Sequence, residues 1–468
     1  MWLNAKWFFW VIILLCIVLL AVPIFVRHNY SAGLFIGEES YRSLRIANEI
    51  KTGGDTANDE LSYGGRVFLE ESFWFYILSF NPKVLAMYLP AVFGLLSFIL
   101  FYFILDYIKP SVKGISSLLL VISPVYIYLF STATKYAAAA FFILLGVYLY
   151  IKDKKIFSHI CFFSAGLFSV FSLLAVSTVF FLKGLRKRAF WDFVYTFAGF
   201  FILFFYYFKG VFAYGFPAVL FIIKEFTYTD FFSRLFFVFG ANSGIGFFFF
   251  VLALIGAYSM FKERYFYVFV YFIFAVLLFI SYYTGFLLPY LLFAFAFYAG
   301  RGFMVLLDHE WRSGMFKFLT LLVVCSGLLF NLFVFVNGIG GFYPNSEYSG
   351  AIDFLDGINS DDTVFSDYKN GEIIAYAGKK NFMDTRFAYA PGVLERAEAY
   401  DGIFSSRSYE KSELLMDKYN IKYILIDERM KNEFFEHGED GLLFLLKNSP
   451  LRFSLVYSNS KIEIWERI

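Results

Sequence analysis

Long runs of apolar residues constrain this chain more than any other feature. Several runs reach the roughly 18 residues that a helix needs to cross about 30 Å of hydrocarbon. Hydrophobic residues make up 60% of the 468-residue sequence, whereas soluble globular proteins are about 45–50% apolar. Because a helix satisfies its own backbone hydrogen bonds in lipid, the sequence predicts a polytopic α-helical membrane protein with about eleven transmembrane helices.

The basic connectors between the apolar runs predict the topology. The first run, WFFWVIILLCIVLLAVPIFV, has no small-residue cleavage site and is predicted to be a retained span. If the connectors are cytoplasmic by the positive-inside rule, the N-terminus lies inside and the C-terminus outside. Later spans are predicted at residues 84–107, 115–130, 136–151, 190–208, 235–260, 265–281, 286–306 and 317–337.

One segment does not fit a simple alternation of spans. Residues 157–182 have basic connectors at both ends but are long enough for only one comfortable crossing. A tight hairpin of two short helices keeps both ends inside, and we count it in the total of about eleven crossings.

The composition changes near Asn337 and indicates a second domain. Residues 338–468 contain 15 Lys and Arg against 22 Asp and Glu, whereas the first 337 residues contain 25 against 16. In this tail, YNIKYILIDE predicts a buried strand after the helix SYEKSELLMDKY, and FSLVYSNSKIEIWER predicts a hairpin. We therefore expect a membrane domain over 1–337, with a large outer loop at 27–82, and a small soluble extracytoplasmic α/β domain over 338–468.

The first outer loop contains a candidate catalytic pair. In the segment GEESYRSLRIANEI, Glu38 and Glu39 are adjacent and close to the predicted membrane surface. A carboxylate there is suited to act as general base on an acceptor, and the nearby cations Arg42 and Arg45 are suited to hold a phosphate. The alternative is an acidic first turn of a short amphipathic helix, which the helix dipole favours.

This segment resembles the first-loop motif of the GT-C superfamily of membrane glycosyltransferases, in the style of protein O-mannosyltransferases and aminoarabinose transferases. Gly37, Glu38, Glu39, Tyr41 and the stretch 46–49 occupy the motif. Glu38 stands where the family usually has Asp, and Asn48 replaces an Arg. The resemblance implies a catalytic role for Glu38 and Glu39 and substrate contacts for Tyr41, Arg42 and Arg45.

A second stretch is similar to the third and fourth spans of the same superfamily. There a Ser-Pro pair leads to an outer turn with a basic residue and a tyrosine, which are Lys135 and Tyr136 in this chain. The similarity implies that Lys135 faces an outer cavity near the donor phosphate. The alternative is a lysine that extends its amine to the membrane interface.

The tail is similar, more weakly, to a segment of oligosaccharyltransferase catalytic subunits. Asp367, Tyr368, Gly371 and Asp384 match that pattern, but both tryptophans of the W-W-D-Y-G motif are absent. The similarity makes Asp367 and Asp384 candidates for acceptor contacts and does not extend to sequon recognition. Ordinary strand ends and turns are the alternative for both residues.

Metal ions and other cofactors are not expected. Cys16, Cys161 and Cys325 lie in apolar runs, the four histidines are scattered, and no D-x-D motif occurs in an outer loop. No G-x-G-x-x-G follows a strand and no Walker pattern occurs, which agrees with a lipid-linked sugar donor. Nucleic acid is not an expected partner.

The resemblance implies a multi-pass enzyme of the cell membrane that moves a hexosyl or pentosyl group. The donor would be a polyprenyl-phosphate or dolichyl-phosphate sugar, and the acceptor a glycan, lipid or protein at the outer face. Glu38 would deprotonate the acceptor, and Glu39 would orient it or Glu38. Arg42, Arg45 and Lys135 would neutralise the leaving phosphate. Two other functions stay open: a degenerate GT-C scaffold or partner subunit, and a lipid or sugar flippase or transporter.

Overall fold

Helices form most of the chain up to residue 338, and strands gather in the tail. The computed structural model describes residues 6–30, 35–54, 57–68, 73–169, 190–214, 228–236, 244–261, 288–358, 362–387, 390–435 and 440–468, with single positions or pairs at 172–173, 176–177, 180, 275 and 277–278.

The part before residue 339 is built from thirteen described helices and one small hairpin. The helices are α1 (Lys6–Asn29), α2 (Glu38–Lys51), α3 (Phe73–Ser79), α4 (Pro82–Ile108), α5 (Lys113–Val121), α6 (Pro124–Ser131), α7 (Lys135–Ile151), α8 (Lys155–Phe168), α9 (Phe190–Tyr214), α10 (Tyr228–Leu235), α11 (Phe247–Phe261), α12 (Leu288–Asp308) and α13 (Gly314–Gly338). The antiparallel pair β1 (Asn58–Asp59) and β2 (Arg66–Val67) lies within residues 27–82, the predicted first outer loop.

The chain is a membrane protein by the length and composition of its helices. Within the described ranges, α1, α4, α12 and the helix that begins at Gly314 are long and apolar enough to cross a bilayer, and a bent pair makes up to five spans. Shorter apolar helices include α7, α8 and parts of α9 and α11. The total of about eleven crossings and the orientation of the termini stay predictions.

The predicted span 115–130 is not one straight helix. It consists of α5 and α6, which meet at an angle of 59°. Ser123, between them, is in an extended conformation with ψ of 128°. Pro124 explains the break, because a proline disfavours the helical conformation of the residue before it and has no N–H to donate.

Two other predicted spans also differ from, or fall outside, the described helices. The span 235–260 is interrupted, because α10 ends at Leu235 and Phe236 forms a parallel bridge with Ile245 before α11 begins. The span 265–281 lies almost wholly outside the described residues. In the predicted hairpin 157–182, the first arm is α8 and most of the second arm is not described, so the hairpin stays a prediction.

The tail contains a mixed five-stranded sheet with helices around it. The strands β3 (Thr363–Phe365), β4 (Lys380–Asn381), β5 (Ile421–Asp427), β6 (Phe453–Ser458) and β7 (Ile462–Arg467) lie in the order β4-β3-β5-β7-β6. The β3 strand pairs in parallel with β4 and β5, and β7 pairs antiparallel with β5 and β6. The helices are α14 (Ser346–Asp356), α15 (Gly371–Tyr376), α16 (Val393–Ser405), α17 (Tyr409–Lys418), α18 (Glu428–Glu433) and α19 (Gly441–Asn448).

Several elements of the tail agree with the sequence pattern. The apolar run before Glu428 is β5, with six of its seven residues buried. The helix before it is α17, and the closing hairpin is the pair β6 and β7. That residues 338–468 form a separate soluble domain outside the membrane stays a prediction.

Buried charges join the first outer loop to the tail. Arg66 donates two hydrogen bonds to the carboxylate of Asp384, at 2.6 and 3.1 Å. Asp59 lies between two arginines, with two contacts of 3.0 Å to Arg45 and one of 3.4 Å to Arg66. None of these four side chains is more than 5% exposed. Both regions are therefore fixed by charge pairs that water barely reaches.

A second buried bridge runs between α2 and α15. Arg42 donates to Glu372 at 2.8 Å, and the two side chains are 3% and 1% exposed. The guanidinium of Arg42 also lies 5.7 Å from the ring centroid of Phe68. Next to this bridge, Tyr41 packs edge-on against Tyr376 with ring centroids 5.0 Å apart. The α2 helix therefore contacts the tail through both charged and aromatic side chains.

We expect Asp59→Asn to destabilise the protein strongly. The substitution removes the carboxylate between Arg45 and Arg66, so that Arg66 keeps Asp384 and Arg45 keeps the partly exposed Glu49. Breaking a buried pair by removing one partner costs about 3 kcal/mol or more. Thermal unfolding of the purified protein in detergent, followed by intrinsic fluorescence, would show a lower midpoint. Lys461→Gln is the control, because its bridge to Glu428 is exposed, and it should leave the midpoint unchanged. An equal midpoint for Asp59→Asn would contradict a stabilising role of the buried pairs.

Candidate functional site

A glycine sets the position of Glu38 at the start of α2. Gly37 has a φ of 79°, a conformation that glycine adopts without strain. A Cβ at this position would lie 3.2 Å from the hydroxyl of Tyr128, which belongs to α6. The N–H of Gly37 donates to the carbonyl of Tyr343 at 2.9 Å. The start of α2 is thus held between α6 and the linker of residues 339–345 that follows α13.

Arg27, at the end of α1, holds that linker in place. Its guanidinium donates to the carbonyl oxygens of Ile339, Phe342 and Pro344 at 3.4, 3.0 and 2.5 Å. Arg27 is fully buried. Because one cation binds three main-chain carbonyls, the linker has a fixed path next to Gly37.

Glu38 and Glu39 have different environments, as a division of roles requires. Glu39 forms an ion pair of 2.5 Å with Arg386 of the tail. Burial, the largest cause, and the carboxylates of Glu372 and Glu39 raise the pKa of Glu38 to about 8. A hydrogen bond with Thr385 and the charge of Arg386 act in the opposite direction. A carboxyl with a pKa near neutrality is suited to accept a proton during a reaction.

The turn before Lys135 contacts the same end of α2. The hydroxyl of Ser40 accepts a hydrogen bond from the N–H of Ala133 at 3.0 Å. Trp74 donates its indole N–H to the carbonyl of Ala133 at 3.2 Å. Lys135 begins α7 two residues later and is buried, with its amine 5.9 Å from the ring centroid of Tyr136. The structure therefore brings the starts of α2 and α7 together. That Lys135 faces an outer cavity stays a prediction.

The other predicted residues of the first loop lie inside the protein. Arg42 and Arg45 are engaged in the buried ion pairs described above, and Tyr41 packs on Tyr376. A cation that a carboxylate already neutralises gives up that partner when it binds a phosphate. Contacts of Arg42 and Arg45 with a phosphate stay predictions.

The two predicted aspartates of the tail have different neighbours. Asp367 accepts a hydrogen bond of 2.9 Å from Tyr400 and pairs with Arg429 at 2.7 Å. Asp384 binds Arg66 and also accepts a hydrogen bond of 2.8 Å from the backbone N–H of Arg386. Asp384 therefore contacts the Glu38 site through Arg386, whereas Tyr400 and Arg429, which contact Asp367, both lie in the tail. Their roles in binding an acceptor stay predictions.

Sequence reasoning missed four residues that define the site. Asp59 and Arg66 lie in a polar, glycine-rich loop, and Glu372 and Arg386 lie in the tail. Arg66, Glu372 and Arg386 have partners 318, 330 and 347 positions away in sequence, so no local pattern marks them. Asp59 has arginine partners 14 and 7 positions away, but they lie in the predicted first outer loop without a regular pattern. The only available signal was that Arg386 stands two residues after the candidate Asp384.

The carboxylates around Glu38 do not form a donor set for a divalent metal. Asp59 is neutralised by two arginines, Glu39 by Arg386 and Glu372 by Arg42. A Ca²⁺ or Mg²⁺ site needs several oxygen ligands that converge on one point. Over the described ranges, no group of three or more histidine, cysteine or acidic side chains is placed to hold a metal ion. Metal-independent activity stays a prediction.

Comparisons with known proteins identify the fold. No known protein family matches the sequence, and no curated protein matches it significantly. Among solved structures, the apo oligosaccharyltransferase of Archaeoglobus fulgidus has a TM-score of 0.63 at 13% identity, over 92% of this chain and 70% of that chain. The same coverage and identity apply to oligosaccharyltransferase AglB from that organism in complex with an inhibitory peptide and a dolichol-phosphate, with a TM-score of 0.54.

ArnT from Cupriavidus metallidurans, bound to undecaprenyl phosphate, matches 98% of both chains at 12% identity with a TM-score of 0.48. The matches to the oligosaccharyltransferase, at 13% identity, show the fold. The chain therefore has a GT-C-like fold.

We expect Glu372→Gln to lower the pKa of Glu38. The substitution removes a negative charge near Glu38 and leaves the positive charge of Arg42 without its carboxylate; both changes favour the ionised form of Glu38. Carbodiimides modify protonated carboxyls, so mass spectrometry of Glu38 after labelling at a series of pH values gives its titration. The labelling midpoint should move from about pH 8 to a lower pH. Glu410→Gln, at an exposed position of α17, should leave it unchanged, and a midpoint unmoved by Glu372→Gln would contradict the coupling.

Proposed function

We propose that this protein is a GT-C-type glycosyltransferase that moves a sugar from a polyprenyl-phosphate donor to an acceptor at the outer face of the membrane. The observation that carries the proposal is Glu38: its carboxyl stands at the start of an outer-loop helix, and burial with neighbouring carboxylates raises its pKa to about 8. The GT-C-like fold supports the same conclusion. A dolichol-phosphate in the structure of the oligosaccharyltransferase supports a lipid-phosphate donor.

In the proposed reaction, Glu38 accepts the proton of the acceptor hydroxyl or amine. The freed electron pair forms a bond to the anomeric carbon of the sugar, and the bond from that carbon to the phosphate oxygen breaks. The electron pair of the broken bond stays on the phosphate, which leaves as the polyprenyl phosphate. Attack opposite the leaving group inverts the anomeric configuration.

Neighbouring residues support this reaction in the proposal. Glu39 orients the acceptor or Glu38 from the adjacent position of α2. Lys135, at the start of α7, contributes positive charge on the side of the leaving phosphate, and Tyr136 lines the same end of that helix. A fixed cation in a site of low dielectric constant stabilises a developing negative charge strongly.

In this function the N-terminus lies in the cytoplasm and the tail lies outside the membrane, where the acceptor approaches. The acceptor, whether glycan, lipid or protein, is left open. A degenerate GT-C-like subunit without activity is the main alternative. A measurement of sugar transfer distinguishes such a subunit from an enzyme.

We expect the purified protein, in lipid nanodiscs, to transfer a radiolabelled sugar from a polyprenyl phosphate to native acceptors. Glu38→Gln should reduce the rate roughly 10²–10⁴-fold, because it removes the general base. Glu60→Gln is the matched control, since Glu60 is an exposed carboxylate of the same loop, and it should retain the wild-type rate. Wild-type activity in Glu38→Gln would remove Glu38 from the mechanism, and no transfer by wild type with several donor sugars would favour a subunit without activity.

We also expect the transfer rate to rise with pH. Glu38 acts as a base only when ionised, and its pKa is raised to about 8, so kcat/KM should fall about tenfold per pH unit below that value. Above it the rate should level off. Initial rates between pH 6 and 9.5 measure the profile. A profile that is flat through this range would show that Glu38 does not titrate in the rate-determining step.

A further inference from the structure

The arginines near Glu38 differ in how deeply they and their carboxylate partners are buried. Arg42, Arg45 and Arg66 have side chains that are 3–5% exposed, and each is bound to at least one carboxylate that is also buried. The side chain of Arg386 is 27% exposed, and that of its partner Glu39 is 28% exposed. A ligand can therefore reach the Arg386 pair without opening the interface between the first loop and the tail.

The backbone of Arg386 is fixed although its side chain is accessible. Its N–H donates to the carboxylate of Asp384 at 2.8 Å. Its carbonyl accepts a hydrogen bond of 3.2 Å from Arg66. Arg66 and Asp384 belong to the buried charge network, so the backbone of Arg386 is held in place. The guanidinium of Arg386 can therefore change its partner by rotation of the side chain alone.

The guanidinium lies at the candidate catalytic pair itself. It contacts Glu39 at 2.5 Å and contributes a favourable charge to Glu38. The three buried arginines are matched by three buried carboxylates, Glu372, Asp59 and Asp384. Arg386 and Glu39 form a further, more exposed pair, so an incoming anion competes with Glu39 for the guanidinium.

We propose that Arg386 binds the phosphate of the lipid donor by exchanging Glu39 for it. This inference rests on the proposed transferase function and assigns the phosphate contact to the tail rather than to Arg42 or Arg45. A guanidinium presents a planar fork of N–H groups that matches a phosphate as well as a carboxylate. Glu39 keeps Arg386 paired while the site is empty, and its release leaves Glu39 beside Glu38 when the donor is bound.

The exchange differs from a purely structural ion pair in one measurable way. If the pair only tied the loop to the tail, removing either partner would weaken the site. If Glu39 competes with the phosphate, Glu39→Gln strengthens phosphate binding and Arg386→Gln weakens it. The two substitutions therefore shift the Kd in opposite directions under the exchange and in the same direction under a purely structural pair.

The experiment measures equilibrium binding of undecaprenyl monophosphate, without a sugar, to the full-length protein in nanodiscs. We expect Arg386→Gln to raise the Kd roughly ten- to hundredfold, the range for a lost hydrogen bond to a charged group. Arg386→Lys should give an intermediate Kd because it keeps the charge and loses the fork. Glu39→Gln should lower the Kd below that of the wild type.

Three controls keep the result specific. Arg407→Gln removes an arginine from the exposed pair with Asp440 in the same tail and should leave the Kd unchanged. Thermal midpoints within the wild-type range show that the variants are folded. Inorganic phosphate and phosphatidylglycerol, tested as competitors, distinguish a site for the lipid-linked phosphate from one for free phosphate or for any anionic lipid.

Each outcome decides the inference. An unchanged Kd in Arg386→Gln, equal weakening by Arg386→Gln and Glu39→Gln, or no binding by wild type would overturn it. If transfer is lost in Arg386→Gln while lipid binding is unchanged, the transferase function stands and the phosphate contact does not. If the opposite shifts in Kd appear but wild type transfers no sugar, the phosphate exchange stands and the transferase function fails.

Discussion

The contact between the first outer loop and the tail depends on charges that are withdrawn from water. Arg42 and Arg66 pair with carboxylates 330 and 318 positions away in sequence. Burying an ion costs several kcal/mol, so each of these side chains is tolerable only with its partner in place. As a consequence, α2 and the tail can pack together in only one relative position, because any other position leaves a buried charge unpaired.

That packing of α2 on the tail produces the candidate site. The α2 helix has Glu38 and Glu39 in its first turn, and the tail brings Glu372, Thr385 and Arg386 to them. Gly37 and the linker beside it fix where the helix begins. The raised pKa of Glu38 is thus a property of the assembly, since its causes are burial and charges from both regions. The same network anchors Arg386 through its backbone and leaves its side chain accessible.

Sequence patterns predicted where helices and strands occur better than they predicted whether an apolar run forms one unbroken helix. Apolar length located α1, α4, α12 and α13, a short apolar run located β5, and two strand-like runs around a turn located the closing hairpin. The break between α5 and α6 has a local cause, Pro124, yet an apolar run that continues through a proline still has the composition of a single span. The interruption between α10 and α11 also has a local marker, the glycine-rich run GANSGIG, but the apolar residues on both sides give the whole stretch the composition of a span.

For the site, the sequence by itself determined the types of side chain that stand close along the chain: Glu38 with Glu39, and Lys135 with Tyr136. It also determined the apolar helices that make the chain a membrane protein, because hydrophobic length is a local property. Only the tertiary structure decided which charges are neutralised and which stay accessible, since pairs such as Arg66 with Asp384 join residues that no local pattern relates. A carboxylate's pKa and a cation's availability depend on burial and on distances to other charges, and both are set when the chain has folded.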